Sequence, residues 1–286
     1  MPSVRPYFRR PAAGKDVQMR IAASEFILFC GDPAENAKKL SSIVPEVELM
    51  LDGDAWDHDE NGWGRQAAAL KELHIPFSIH PPAWDVNAAA PLAALREAAA
   101  FLNRKAVELC VELNASQIVY HPGYYDSSSR FSKNRAIDFS YQQLEQLIAA
   151  AKPHGITIAF ENIGGPASSL FSQSEFIHAL DGIDDSVQFL LDLGHANVNA
   201  WDIPHTIDSL AGRLCALHIH DNDGTGDSHL PIGTGTICWP DVFSAMKQLP
   251  ESCLYIMEYQ AGTPLEYLSA GRDMLQNALF QAKTQI

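Results

Sequence analysis

Eight short apolar runs recur along the chain, with room for helix between most successive runs, and this constrains the fold more than any other feature. They are "MRIAAS" (19–24), "EVELML" (46–51), "PFSIH" (76–80), "QIVYH" (117–121), "ITIAFE" (156–161), "VQFLLD" (187–192), "CALHIH" (215–220) and "LYIME" (254–258). Stretches with helical character separate them, clearest at 91–113, 135–152, 202–212, 240–249 and 264–281. Gly155, in "KPHGITI", is placed to end a helix before the fifth run, because glycine takes the left-handed cap conformation without strain. Strands alternating with helices in one uninterrupted chain imply a parallel sheet. A doubly wound open sheet gives a similar string, but no G-x-G-x-x-G turn follows the first run. The expected fold class is therefore α/β, a (β/α)8 TIM barrel forming a single domain over 19–286, and 286 residues suit it.

Charge and cysteine usage narrow the function. The net charge is −15, yet residues 1–20 hold five basic side chains (Arg5, Arg9, Arg10, Lys15, Arg20) against one acid, Asp16. The rest of the chain is thus more acidic than the total implies. Such a body repels phosphate backbones at long range, so a nucleic-acid partner is not expected. Residues 1–18 read as a basic, mobile arm. The Arg9–Arg10 pair is followed by "PAAGKDVQ", not an apolar stretch, and does not read as an export signal. No apolar run reaches the roughly 18 residues of a membrane span. The five cysteines (Cys30, Cys110, Cys215, Cys238, Cys253) are odd in number and lack a C-x-x-C pair. They argue against a disulfide framework or thiolate zinc site and for a reducing, cytoplasmic setting.

In a barrel of this kind the active site lies at the C-terminal strand ends, and alternate side chains face the interior. In "ITIAFE", Ile156, Ile158 and Phe160 suit the helix-facing side, leaving Thr157, Ala159 and Glu161 inside. The same register sends Gln188, Leu190 and Asp192 inward in "VQFLLD", and Ala216, His218 and His220 in "CALHIH". Glu258 points inward from "LYIME", and His80 and His121 end their strands opposite Ile79 and Tyr120. Singly, each has an ordinary explanation: a core histidine with a hydrogen bond, a solvated rim glutamate, turn chemistry in "HPG", or an aspartate cap in "DLGH". Jointly, converging carboxylates and imidazoles carry a desolvation and repulsion cost that a divalent cation removes. His, Asp and Glu are common ligands of Zn2+ and Mn2+.

These strand-end residues resemble the xylose-isomerase-like TIM-barrel superfamily, which includes sugar-phosphate isomerases and epimerases and endonuclease IV-like proteins. The resemblance runs from Met19 to about Phe280. In the isomerase and epimerase branch it implies one metal held by Glu161, Asp192, His218 and Glu258, the two glutamates also exchanging a substrate proton. Against endonuclease IV it implies up to three zinc ions, with His80, His121, His195, Asp227 and His229 as additional ligands. The acidic body, without basic and aromatic loops for gripping a duplex, departs from that second pattern.

The expected function is a divalent-metal-dependent isomerase or epimerase of a small sugar, sugar phosphate or keto-polyol, proceeding through a metal-stabilised enediolate, with one ion. In that reading His80, His121, His195 and His220 contact substrate, His220 alternatively backing a carboxylate, and Trp84 covers the apolar face of the sugar. A phosphate would call on backbone N–H groups around Gly233–Gly235, because rim lysines are scarce. The alternative is a multinuclear zinc phosphoesterase. A homo-oligomer is compatible with the sequence, which shows no obvious seam.

Overall fold

The computed structural model describes residues 19–29, 31–56, 62–126, 128 and 131–280. The basic arm expected at 1–18 lies outside the described residues, as do Cys30 and the last six positions. Eight parallel strands close into a barrel in sequence order. They are β1 (Arg20–Ser24), β2 (Glu46–Met50), β3 (Phe77–His80), β4 (Gln117–Tyr120), β5 (Thr157–Glu161), β6 (Val187–Asp192), β7 (Leu214–Ile219) and β8 (Leu254–Met257). The main helices are α1 (Pro33–Ser41), α2 (Gly62–Lys71), α3 (Ala93–Leu113), α4 (Lys133–Ala151), α5 (Gln173–Ile177), α6 (Leu193–Val198), α7 (Ile203–Leu210), α8 (Trp239–Met246) and α9 (Glu266–Phe280). Every expected strand is present, and so is each of the five clearest helices. The helices α5 and α6, of five and six residues, carry too few turns to stand out by periodicity, and α1 and α2 are not among the clearest stretches.

Local chemistry explains several boundaries. Asp32 caps α1 and Asp202 caps α7, each accepting a hydrogen bond from the N–H three residues on, with proline in the first turn. Gly155 takes φ +70° at the end of the turn that follows α4. Arg213 donates hydrogen bonds to the carbonyls of Leu180, Ile183, Asp184 and Val187, tying the entry of β6 to that of β7.

The side-chain alternation read from the sequence holds. Ile158, Phe160, Leu191, Leu217, Ile219, Tyr255 and Met257 pack between sheet and helices. Ala22, Val119, Ala159, Leu190, Ala216, Leu254 and Ile256 form a separate interior cluster. Three alanines in that cluster leave room for the long His, Asp and Glu side chains above. One irregularity interrupts the alternation: the β6–β7 register skips a residue, so that Phe189 pairs with Leu214 and Leu190 with Ala216. Cys215 is the extra residue; it joins the interior cluster and its thiol donates to the Phe189 carbonyl. Below, Arg20 donates to both carboxylate oxygens of Glu46, closing the barrel floor. Among the described residues, no helix is long and apolar enough to cross a membrane.

Candidate metal centre

His218 stands at the centre of the barrel mouth, fully buried. Its Nδ1 lies 3.1 Å from Glu161 Oε1, 3.2 Å from Glu258 Oε2 and 3.6 Å from Asp192 Oδ2. Each glutamate turns its second oxygen to a different flank. Glu161 Oε2 meets His121 Nε2 at 2.8 Å on the β4 side, and Glu258 Oε1 meets Ser24 Oγ at 3.5 Å on the β1 side. Asp192 is at once the last residue of β6 and the cap of α6, its Oδ1 accepting from the His195 N–H at 2.6 Å. The capping role expected as an ordinary explanation is therefore real, and it coexists with the convergence: the cap locks one oxygen and leaves Oδ2 facing His218 and His220.

Two further groups flank this centre. His80, His121 and Glu161 offer ligand atoms within 4.8 Å of one another, as do Glu161, Asp192 and His218. On the other flank, Asp227 Oδ2 sits 3.1 Å from His195 Nε2 and 3.0 Å from His229 Nε2. His229 holds a left-handed backbone, φ +43°, at a cost of about 1–2 kcal/mol for a non-glycine residue. His220 is fully buried, its Nε2 3.0 Å from Asp192 Oδ2 and its ring stacked on His229 with centroids 3.9 Å apart. Of the two roles expected for His220, backing a carboxylate is the one its contact with Asp192 supplies. Trp84 lies at the rim, 56% exposed, against Phe29 and Phe26, and Phe26 in turn meets the His229 ring.

Three histidines share one arrangement. His80 Nδ1 donates to the Pro81 carbonyl and His229 Nδ1 to the Glu258 carbonyl, while His218 Nε2 lies 2.9 Å from the Glu48 carboxylate. In His80 and His229 the anchored nitrogen carries the proton, because a carbonyl only accepts; His218 meets carboxylates at both nitrogens, with Glu48 alone on the Nε2 side. In the neutral ring the other nitrogen then aims a lone pair at a carboxylate, an arrangement that suits a cation between them. Reasoning from strand ends misses Glu48. A signal for it exists, since alternation in "EVELM" sends Glu46 and Glu48 inward together, but β2 ends in Met50, not in a strand-end ligand.

Around the expected phosphate seat, the loop after β7 spends most of its N–H groups within the protein. The buried Asp221 carboxylate accepts from the N–H groups of Gly233 and Ile237 and from the Trp239 indole. The Thr234 and Thr236 N–H groups go to the Pro231 and Asn222 carbonyls. In the loop after β8, the N–H groups of Gln260, Gly262 and Thr263 are also spent on protein carbonyls. An internal carboxylate already occupies the nest, and a Cβ on Gly235 would collide with Asn222 and Asp221.

The electrostatics ask for positive charge. Burial opposes ionisation of Glu161, yet His218 and His121 outweigh it and hold the carboxyl well below its usual range. Burial likewise opposes a charged His218, but Glu258, Glu161 and Glu48 drive it well above the ordinary histidine value. His229 behaves similarly: burial opposes the cation, and Asp227 and Glu258 raise it to about 9. Near neutral pH that positive charge comes either from protons shared among these rings or from bound divalent ions. The ions fit better. Among the described residues, two buried nitrogens, His195 Nδ1 and His220 Nδ1, have no hydrogen-bond partner, and His195 Nδ1 faces Asp192 Oδ1 at 3.4 Å and Glu161 Oε1 at 3.7 Å.

Residues 45–278 match the family model described as the xylose isomerase-like TIM barrel. The chain belongs to this family. An uncharacterized protein of Methanocaldococcus jannaschii is 28% identical over 181 residues, 61% of this chain and 61% of that protein. A probable endonuclease 4 of Acholeplasma laidlawii is 24% identical over 208 residues, covering 64% of this chain and 69% of its own. Among solved structures, a D-tagatose 3-epimerase-like protein superposes with a TM-score of 0.80 at 20% identity, covering 93% of this chain and 99% of that one. At that identity the superposition establishes the fold, and sugar epimerases recur among the structural neighbours.

Proposed function

We propose that this chain is a divalent-metal-dependent isomerase or epimerase of an unphosphorylated keto-sugar or related keto-polyol. The observation that carries the reading is the pair Glu161 and Glu258, each with one oxygen at the His218 Nδ1 centre and the other turned to opposite flanks. Glu161, Asp192, His218 and Glu258 would hold the ion. When bound, a divalent cation there supplies Lewis acidity for charge developing on a carbonyl and a neighbouring hydroxyl oxygen.

The chain's own residues do the rest. One glutamate takes the proton from the carbon beside the carbonyl, and the other returns a proton from the opposite face, which inverts that carbon. Return to the adjacent carbon instead gives isomerisation. His121, hydrogen-bonded to Glu161, holds that carboxylate in place. Trp84 and Phe26 offer an apolar wall for the C–H face of a sugar. The nest filled by Asp221 supports a substrate without a phosphate at that position.

A second reading, phosphoester hydrolysis with up to three zinc ions, is favoured by a separate observation. His80 and His121 complete one ligand group with Glu161, and His195 and His229 meet on Asp227. Metal content of the purified protein and solvent deuterium uptake separate the two. About one equivalent of metal, with deuterium entering a ketose or keto-inositol, is the expected result. About three equivalents of zinc retained through gel filtration, with cleavage of abasic DNA or an aryl phosphodiester and no exchange in any ketose, would overturn it.

A further inference from the structure

Glu48 has no place in the ligand set drawn from the strand ends, yet it is among the most enclosed charges in the molecule. It sits inside the barrel on β2, fully buried, across from β7. Its Oε1 takes His218 Nε2 at 2.9 Å and its Oε2 takes the Ser78 hydroxyl at 2.7 Å; Gln117 Nε2 in turn donates to Ser78 Oγ at 3.1 Å. Neighbouring Glu46, two residues earlier, is neutralised by Arg20. Glu48 has no such cation among its hydrogen-bond partners, only the imidazole, a hydroxyl and its amide support. Burying a carboxylate on these terms is costly unless the group it faces carries positive charge.

We infer that Glu48 is a positioning residue that fixes His218 in the tautomer with its proton on Nε2, leaving Nδ1 free to bind a metal ion among Glu161, Asp192 and Glu258. This rests on the metal-dependent reading above. The other two anchored histidines, His80 and His229, donate to neutral carbonyls; of the three, only His218 has a carboxylate at its anchored nitrogen. A full negative charge on the far side of the ring makes Nδ1 a stronger donor than a carbonyl does. Ser78 and Gln117 hold the Glu48 carboxylate in line from β3 and β4, so the ring orientation is set by three strands that contribute no other contact to His218 Nδ1. Because Glu48, His218 and Glu258 also present ligand atoms within 4.8 Å, Glu48 as a direct ligand is the competing arrangement, with metal on Nε2 and the proton on Nδ1.

Long-range nitrogen–proton NMR of the zinc-loaded, histidine-labelled wild-type chain decides between them, with zinc affinity measured by chelator competition. The expected result is a proton on Nε2 and none on Nδ1 of His218. Glu48→Gln is expected to weaken zinc binding about 10–100-fold, the range for a residue behind a ligand. Ser78→Ala is expected to weaken it less, in the same direction. A proton on His218 Nδ1, or a folded Glu48→Gln with zinc affinity within about twofold of wild type, would overturn the inference. Should Glu48→Gln not fold, the wild-type tautomer and Ser78→Ala still decide. If the wild type binds no zinc or manganese, both this inference and the proposed function fall. If the zinc results hold but no ketose exchanges, only the proposed function falls.

Discussion

Replacing Gly194 with alanine tests whether the packing behind Asp192 is as tight as it looks. Gly194 lies in the first turn of α6, and a Cβ built there would overlap the His220 ring. A retreat of that ring is opposed by His229, stacked on one of its faces, and would break the 3.0 Å contact of its Nε2 with Asp192 Oδ2. Forcing an extra methyl into a filled core costs about 1–3 kcal/mol. Losing the His220 bond to a charged acceptor adds about 1.5–3 kcal/mol. The helix preference of alanine over glycine returns only about 1 kcal/mol. The net loss is about 3 kcal/mol. At about 2.1 cal/mol/K per residue, a chain of 286 residues has an unfolding entropy near 0.6 kcal/mol/K, so Tm should fall by about 5 °C. Calorimetry on chelator-treated protein reads this directly. Gly212→Ala is the control, since its Cβ would meet nothing within 4 Å, and its Tm should stay within about 1 °C of wild type. A Gly194→Ala protein that melts like the control would refute the packing argument.

Three other outcomes follow from named contacts. Burial pushes the Glu25 carboxyl up to about 7 from 4.5, against hydrogen bonds from Asn36 and the Met50 N–H that favour its ionised form. The folded chain keeps a proton that the unfolded chain releases, so this stabilisation is whole below about pH 4.5 and is lost as pH rises through 7, by about 3 kcal/mol at most. Urea unfolding at pH 5 and pH 8 should show that slope in wild type and a flatter one in Glu25→Gln; equal slopes count against it. Arg213→Ala removes hydrogen bonds to four carbonyls and should cost about 3 kcal/mol, read as a Tm lower by about 5 °C, with Arg213→Lys restoring less than half because an ammonium lacks the planar fork. Trp84→Ala should raise KM for a ketose substrate about 3–10-fold, with kcat and Tm unchanged, as expected for a rim contact worth about 1 kcal/mol; an equal fall in kcat would show that the ring acts on the chemistry instead.

Much of this molecule is legible in the order of its amino acids, and the reason is that strand alternation is a local property. Period-two patterning in "ITIAFE", "VQFLLD", "CALHIH" and "LYIME" is enough to send Glu161, Asp192, His218 and Glu258 inward, whatever lies across the barrel. The eight-fold repetition of strand and helix likewise determines the class of fold. Distance in the chain marks where that reasoning ends. Glu48 and His218 are 170 residues apart, and nothing local to either names the other as its partner. The extra residue that turns Cys215 inward exists only as a mismatch between β6 and β7, and Asp221 claims the loop amides only because the chain folds back at Gly233 and Ile237. The sequence by itself determined which side chains reach the barrel mouth. Only the tertiary structure decided which nitrogen meets which oxygen there, because that depends on the register between strands and on rings locked by neighbours from opposite sides of the barrel.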